Sequence, residues 1–470
     1  MREENPIQRR WADPGRLPAY LTAAIALVLW RLFFPGLMSV DSIDQYGQAL
    51  TGQYNDWHPP LMAIVLHFVF VLGGAIGLLM LGQCLAGVFG VLALARAVAL
   101  LLFGDRIPAR RAVWIPLLAL LGLLLPVTPL AFYLMTFWKD AWAMIFMLWI
   151  SALAIDLFRR GPEPKRLLLL IGLAATLGLV RHNAVFVLPL VGLALWEVTR
   201  RFGRWKAFAL AAAPLALYLV AEPLIDRVFG VQKFHPESQV MALDLVGLCA
   251  ADRALCPRLP WTQAHILAPD ALAAYRPGDI GFIFWDRPPH VDPSIRTDYP
   301  RLRAEYFRAV REFPGPLARV KLEAFATMLG LDQTYYFFHD SIADNLYRLA
   351  LGQRLAPLRR RLSGVAKWLA SDGVLRWISG VHLVWIFVDL LGVLGLLALS
   401  FRPGGSRLRI LAWVLLIPFG YYLSYLFATP AHDFRFMYPS TLTVQCVVLA
   451  GLLGGLAGGL QKPTGRAPSF

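Results

Sequence analysis

Long apolar runs dominate this chain and restrict what it can fold into. A segment needs about 17 to 25 apolar residues to cross a bilayer as a helix. Two shorter runs, 166–180 and 184–198, flank a polar Arg-His-Asn triplet and are typical of a helical hairpin. With the long runs they predict an all-α polytopic membrane protein with about ten transmembrane helices. The long runs lie near residues 17–38, 76–102, 112–132, 139–158, 207–221, 381–400, 408–428 and 438–460.

The composition agrees with a membrane protein. Of the 470 residues, 58% are hydrophobic and only 16% are charged, whereas soluble proteins are nearer half apolar and a quarter charged. The apolar run behind the charged N-terminus is long and has no small-residue cleavage site. We therefore expect an uncleaved first span and not a signal peptide.

The basic residues predict the orientation of the spans. Alternate loops are short and basic, and the positive-inside rule places such loops in the cytoplasm. The even number of spans then puts both chain ends in the cytoplasm. Much of the net charge of +15 is this bias, so nucleic acid is not an expected partner. The loop residues concerned are Arg9 and Arg10; Arg106, Arg110 and Arg111; Arg159, Arg160, Lys165 and Arg166; the segment 199–206; and Arg402, Arg407 and Arg409.

The apolar pattern divides the chain into three parts. An N-terminal transmembrane module, 1–221, carries an outer loop at 39–75, in which 59–73 predicts an interfacial or re-entrant helix. A mixed periplasmic insert, 222–380, separates it from C-terminal transmembrane helices at 381–470. Within the insert, 301–332 has helical spacing with basic partners, which indicates either a helix at the lipid headgroups or ordinary packing.

Two cysteines, Cys249 and Cys256, share the insert. They could pair in an oxidising compartment. A continuous helix, however, would hold them about two turns apart, too far for a disulfide. The sequence leaves both possibilities open.

The first outer loop has the richest polar chemistry. It has helical periodicity, with apolar and polar positions on opposite sides. This predicts an amphipathic helix on the membrane surface with its acids toward water; a solvated loop is the alternative. The apolar positions are Ile43, Tyr46 and Leu50, and the polar ones are Asp41, Asp44, Gln45 and Gln48.

The other unusual polar clusters fall on the same side of the membrane by this topology. They are the turns at 137–140, 181–183 and 432–439. Ionisable groups at span ends are costly in lipid, so they normally face a cavity or a partner. Four such clusters on one face indicate a functional site.

These residues carry a family resemblance. Asp41-Ser-Ile-Asp-Gln-Tyr, Gly52 and His58-Pro-Pro-Leu resemble the first outer loop of GT-C-type glycosyltransferases. The likeness is greatest to the branch of protein mannosyltransferases and the lipid A aminoarabinose transferase. The later turns are similar too, with Lys139-Asp140, the basic or amide pair within 181–183, and Asp433-x-Arg435-x-x-x-Pro439. The chain departs from the family's Asp-Glu at Ser42, so either Asp41 acts alone or Asp44 supplies the second carboxylate.

The resemblance implies a GT-C fold and a sugar transfer. The donor would be a sugar on an undecaprenyl-type polyprenyl phosphate, and the acceptor a lipid, glycan or protein. Transfer would invert the anomeric centre at the periplasmic face of a bacterial inner membrane. Asp41 is the expected base, with Asp44 and Asp140 as further catalytic candidates. Alternatively, Asp140 pairs with Lys139 or caps a span.

The remaining candidates would bind substrate. Cations and hydrogen-bond donors are needed to neutralise a departing phosphate. His58 would bind phosphate or acceptor, or have a structural role only. No cofactor is required; a divalent metal is possible because some relatives use one, although no ligand cluster demands it. The substrate-binding candidates are His58, Lys139, Arg181, His182, Asn183, Asp433 and Arg435.

Two other functions remain open. A transporter or flippase for lipid-linked saccharides would also bury ions between spans, but such proteins usually show inverted repeats and broken helices, and no repeat is visible here. A polymerase or ligase of lipid-linked glycans would share the chemistry and transfer larger blocks.

Overall fold

The structure is a computed structural model that describes residues 17–104, 106–125, 128–268, 270–331, 338–371, 373–403 and 405–459. Over these residues the chain is helical, with isolated β-bridges and no extended strand. The fold class is therefore confirmed as all-α over these residues. The predicted basic pair Arg9 and Arg10 lies outside the described residues.

The helices of ten residues or more are labelled in chain order. They are α1 (Leu17–Phe33), α2 (Val40–Thr51), α3 (Leu61–Val71), α4 (Ile76–Phe103), α5 (Ile115–Leu124), α6 (Lys139–Arg160), α7 (Pro164–Val180), α8 (Leu188–Thr199), α9 (Arg204–Phe229), α10 (Glu237–Ala251), α11 (Tyr299–Glu312), α12 (Pro314–Thr327), α13 (Ala356–Ser371), α14 (His382–Ser400), α15 (Ser406–Phe427) and α16 (Tyr438–Gly459). Shorter helices are Ala109–Ala112, Leu130–Met135, Pro260–His265, Gly281–Phe284 and Leu375–Ser379, and 3-10 turns lie at His182–Val187, Arg200–Phe202, Arg253–Arg258, Ala271–Ala274, Pro293–Arg296, Gln353–Leu355 and Phe434–Phe436.

Seven of the described helices are long and apolar enough to cross a membrane. They are α4, α6, α9, α14, α15, α16 and the continuous helical segment His182–Phe202, which contains α8. Helices α1, α3 and α5 are apolar but shorter. The chain is thus a polytopic helical membrane protein, and the number of ten spans stays a prediction.

The run predicted at 112–132 is not one helix. Helix α5 ends at Leu124, and a separate short helix begins after Pro129. Leu125 takes an extended conformation with ψ of 149°, which stops the hydrogen-bond ladder of α5. The short helix that follows leads directly into the segment before α6.

Glycines allow close contact in the centre of the bundle. Helix α4 packs against α6 and α16. A Cβ atom on Gly90 would lie 3.2 Å from Nε1 of Trp149, which donates a hydrogen bond to the Ala86 carbonyl oxygen at 2.9 Å. Small residues of this kind let membrane helices approach closely.

The boundary predicted at residue 221 falls inside a helix. Helix α9 continues past its apolar part and ends at Phe229. Gly230, which has a φ of 62°, is its C-cap. Polar residues such as Glu222 and Asp226 extend the helix because its backbone hydrogen bonds do not require apolar side chains. The division of the chain into a transmembrane module and an insert stays a prediction.

The insert has a hydrophobic core of its own, built from α10, α11 and α12. The helix predicted over 301–332 is two helices, because Phe313 leaves the helical conformation just before Pro314. Cys249 and Cys256 form a disulfide with their Cα atoms 4.9 Å apart. The distance expected within one helix does not apply, since α10 ends at Ala251 and the chain then turns.

Three distant segments meet between α1 and α2. The Leu37 amide donates to the Met135 carbonyl oxygen at 2.7 Å, and the Phe137 amide donates to that of Leu37 at 3.0 Å. On the other side, the Met38 amide donates to the Ser341 carbonyl oxygen at 3.2 Å. These contacts hold the start of α2, the start of α6 and the loop after residue 338 together.

Candidate functional site

Helix α2 is fixed at its first turn by serines. Ser39 is the N-cap and forms a capping box with Ser42, which satisfies amides that the first turn leaves free. The Ser42 hydroxyl also donates to the Phe137 carbonyl oxygen at 2.7 Å. Ser42 thus ties α2 to the segment before Lys139.

The prediction that α2 turns its acids toward water holds for Asp44, which is exposed, whereas Asp41 is only partly exposed. Gln45 and Gln48 are buried, whereas Val40 and Leu50 are exposed. The Gln48 side chain accepts a hydrogen bond from the Asn55 amide at 3.2 Å. The polar face packs against the returning loop because its amide groups satisfy the backbone of that loop.

Arg435 joins two carboxylates. Its Nη2 lies 2.8 Å from Oδ2 of Asp41, and its Nε lies 2.8 Å from Oδ2 of Asp433. Burial would raise the pKa of Asp41, but the charges of Arg435 and Lys139 hold it well below its usual range. Burial raises the pKa of Asp433 to about 6, against the opposing effect of Arg435. One guanidinium therefore neutralises two acids of different proton affinity.

His58 bridges Lys139 and Asp41. Its Nδ1 lies 2.6 Å from Nζ of Lys139, and its Nε2 lies 3.7 Å from Oδ1 of Asp41. Burial and the charge of Lys139 lower the pKa of His58 well below its usual value. An ammonium group only donates, so Nδ1 accepts and the Nε2 proton faces the Asp41 carboxylate.

A second buried ion pair lies beside the first. Nη2 of Arg181 is 2.9 Å from Oδ1 of Asp140, whose side chain is fully buried. The same guanidinium donates to the Tyr425 hydroxyl at 2.7 Å. The ring of Phe436 lies 4.7 Å from the Arg181 guanidinium carbon and 5.0 Å from that of Arg435, so it links the two pairs.

The structure thus brings seven of the predicted residues into one cluster, called here the outer cluster. It contains three carboxylates, two guanidinium groups and one ammonium group, with His58 between them. Its formal charge is balanced, so an entering anion must compete with a carboxylate for a cation. The members are Asp41, His58, Lys139, Asp140, Arg181, Asp433 and Arg435.

Three predicted residues lie at its edge or outside it. Asp44 is exposed and accepts a hydrogen bond from Gln48 at 2.7 Å. Asn183 donates to the Ser424 hydroxyl at 2.7 Å, which is a contact between helices. His182 lies 3.3 Å from the Asp56 carbonyl oxygen.

The sequence did not single out several aromatic residues of the site. The Trp138 ring centroid lies 5.1 Å from the guanidinium carbon of Arg435. Its Nε1 donates a hydrogen bond to the Ser39 hydroxyl at 2.8 Å. Tyr421 and Tyr425 lie one helical turn apart on α15, and both approach Arg181. Their spacing of four residues is a signal that was available, since it places two hydroxyls on one helix face.

Over the described residues, no group of three histidine, cysteine or acidic side chains is arranged to hold a metal ion. No protein-family model, curated protein or solved structure matches the chain. The chemistry of the site therefore has to be inferred from its own residues. Buried cations paired to displaceable carboxylates are suited to binding an anion such as a phosphate.

Proposed function

We propose that the protein is a GT-C-type glycosyltransferase that moves a sugar from a polyprenyl-phosphate donor to a lipid, glycan or protein acceptor. The observation that carries the proposal is Arg435 shared by Asp41 and Asp433, with Lys139 and Arg181 close by. A donor phosphate needs cations, and the acceptor hydroxyl needs a base. The outer cluster supplies both.

Asp41 is a poor base while it is paired with Arg435, because a carboxylate held by a guanidinium binds protons weakly. The donor phosphate competes for Arg435 and releases Asp41 as it binds. Without its cation, and still largely enclosed, Asp41 then gains proton affinity. Donor binding thereby prepares the base for the acceptor.

The transfer is a single displacement. Asp41 takes the proton of the acceptor hydroxyl as the acceptor oxygen attacks the anomeric carbon. The bond between that carbon and the phosphate oxygen breaks, and its electron pair stays on the phosphate. The leaving phosphate gains negative charge, which Lys139, Arg181 and Arg435 are placed to stabilise. His58 positions Lys139 and Asp41 by contacting both.

The site would lie on the periplasmic side of a bacterial inner membrane. The Cys249–Cys256 disulfide supports this side for the insert, because disulfides persist in oxidising compartments. The proposed topology puts the insert and the outer cluster on the same face.

The test uses purified protein and a panel of radiolabelled polyprenyl-phosphate monosaccharides. Label should pass to an envelope lipid, glycan or protein acceptor, or to water, for at least one sugar. Lys139→Ala and Arg435→Ala should raise the donor KM and lower kcat, since each removes a phosphate ligand. If proteoliposomes instead move an intact lipid-linked saccharide across the bilayer without cleaving it, the protein is a flippase and the proposal fails.

A further inference from the structure

A large basic cavity lies outside the outer cluster. It has a volume of about 780 Å³ and lies between the loop 340–353 and helix α13. Four cationic side chains and two carboxylates line it. They are Arg348, Arg359, Arg360 and Lys367, with Asp340 and Asp344. The roles proposed above leave this cavity unused.

Two of these cations build the walls of the cavity. Arg359 is buried and donates to the carbonyl oxygens of Leu32 at 3.0 Å and Gly352 at 2.7 Å, which fastens α13 to the end of α1. Lys367 lies 2.8 Å from Asp340, which also accepts from the Ser363 hydroxyl. These contacts leave Arg359 and Lys367 occupied.

The other two cations are available. Within the ranges that the structure describes, no carboxylate pairs with Arg348 or Arg360, both of which are exposed. Arg348 has a φ of 54°, which is unusual for a residue with a side chain. The Asn345 side chain holds this turn by accepting from the Leu349 amide at 3.0 Å. The turn therefore presents the Arg348 side chain from a fixed backbone.

The cavity adjoins the helix that carries Asp41. Its floor includes Ser341 and Ala343, which bond to the backbone of Met38 at 3.2 and 2.9 Å. The Tyr347 ring, on the same loop, packs 5.1 Å from that of Tyr46 on α2. A molecule in the cavity would thus lie alongside α2.

The cavity also opens beside apolar surface. Helix α13 exposes Leu358, Val365 and Trp368, at spacings of seven and three residues that place them on one face. Helix α14, one of the membrane-spanning candidates, begins soon afterwards at His382. Basic residues next to an exposed apolar helix face are typical of contact with the lipid interface.

We propose that the basic cavity binds the phosphate-bearing headgroup of the acceptor, and that this acceptor is a lipid. Arg348 and Arg360 hold the phosphate, while the acyl chains follow the exposed face of α13 into the membrane. This inference rests on the proposed function, and it separates the acceptor phosphate from the donor phosphate at the outer cluster.

The first experiment measures binding and needs no sugar transfer. Purified protein is titrated with dihexanoyl phosphatidic acid, with zwitterionic dihexanoyl phosphatidylcholine, and with inorganic phosphate. The double variant Arg348→Gln/Arg360→Gln should weaken phosphatidic acid binding at least about tenfold, because two charge-assisted contacts are lost. Arg319→Gln/Arg354→Gln is the control, since both arginines are exposed but neither lines the cavity nor lies on the exposed face of α13.

Three outcomes would overturn the inference. Equal affinities in wild type and R348Q/R360Q exclude the cavity as the binding site. Equal loss in the control pair shows a diffuse charge effect. Inorganic phosphate that binds as tightly as phosphatidic acid excludes a lipid headgroup as the ligand.

The second experiment separates this inference from the proposed function. In the transfer assay, R348Q/R360Q should raise the KM for a phosphorylated lipid acceptor and leave the donor KM unchanged. If transfer occurs but the acceptor KM does not move, the cavity assignment alone is wrong. If no transfer occurs in wild type, the binding experiment still decides the cavity.

Discussion

Asp41 and Asp44 lie one turn apart on α2, yet their surroundings differ. The Asp41 side chain is 30% exposed and pairs with Arg435, whereas Asp44 is exposed and accepts a hydrogen bond from Gln48. The difference arises because Arg435 reaches the first turn of α2, whereas Asp44, one turn further along the same side, is exposed to solvent.

Substitution of these two acids should separate their roles. Asp41→Asn keeps the shape and one acceptor oxygen but removes the proton acceptor, so transfer should fall roughly 10² to 10⁴-fold. Asp44→Asn should stay within about twofold of wild type, since exposed substitutions rarely matter. Both are measured as kcat in the labelled-donor assay. Donor binding should not weaken in D41N, because the donor phosphate no longer competes with a carboxylate for Arg435. Near-normal transfer by D41N together with loss in D44N would exchange the two assignments.

Asp433 should give the stability of the protein a pH dependence. Its pKa is raised from 3.8 to about 6 in the folded protein. Between these values the native state holds a proton that the unfolded state has lost, so this group's contribution to stability falls as the pH rises from about 4 to 6 and is constant above. Asp433→Asn is neutral throughout, so its stability relative to wild type should be higher at pH 7 than at pH 5.

The measurement is the thermal midpoint in detergent at pH 5, 6, 7 and 8. Asp270→Asn, at an exposed position of the insert, serves as the control and should change little with pH relative to wild type. A difference between D433N and wild type that is the same at every pH would contradict the raised pKa.

At the scale of elements, the insert is fastened to the bundle through α12. Lys321 lies 2.5 Å from the Asp244 carboxylate on α10 and donates to the Phe427 carbonyl oxygen at the end of α15, at 3.0 Å. Asp244 is buried, and burial raises its pKa despite this partner. One ammonium group therefore connects two helices of the insert with a membrane helix.

Removal of that ammonium should destabilise the protein strongly. Lys321→Met leaves a buried carboxylate without its cation, which costs about 3 to 5 kcal/mol in comparable pairs. The double variant Asp244→Asn/Lys321→Met should recover a large part of this loss, because no unpaired charge remains. Thermal midpoints of the single and double variants provide the measurement. Equal midpoints for the single and double variants would show that an unpaired Asp244 charge is not the cause of the destabilisation.

At the scale of the whole molecule, the outer cluster joins side chains from the first loop, the start of α6, the turn before α8 and the turn before α16. All of these lie on one side of the membrane in the predicted topology, in which successive loops lie on alternating sides. The insert disulfide is on the same side in this topology. A single labelling experiment can test the orientation.

Cysteines introduced at the exposed positions Gln53 and Glu237 should react with a membrane-impermeant thiol reagent in intact cells, and one at the exposed Lys165 should not. The native background is favourable, since Cys84 and Cys446 are buried and the other two cysteines are bonded to each other. Protein from lysed cells, in which all three sites should react, is the control. Labelling of Lys165 without Gln53 would place the outer cluster in the cytoplasm.

The sequence by itself determined where the helices form. Side-chain hydrophobicity is a local property, and a run of apolar residues in lipid must satisfy its backbone hydrogen bonds internally, which a helix does. The predicted apolar runs therefore match helices such as α4, α6 and α16 closely. The sequence also predicted a helix at α2, because its period of 3.6 residues is visible in the pattern.

Only the tertiary structure decided which polar side chains contact each other and which are buried. Asp41 and Arg435 come from opposite ends of the chain, and no local pattern shows that Asp433 competes for the same guanidinium. The burial of Gln45 and Gln48 depends on the loop that packs against them, so the amphipathic pattern of α2 alone did not show it. The basic cavity likewise exists because Arg359 joins α13 to the end of α1, a contact between segments that the sequence keeps far apart.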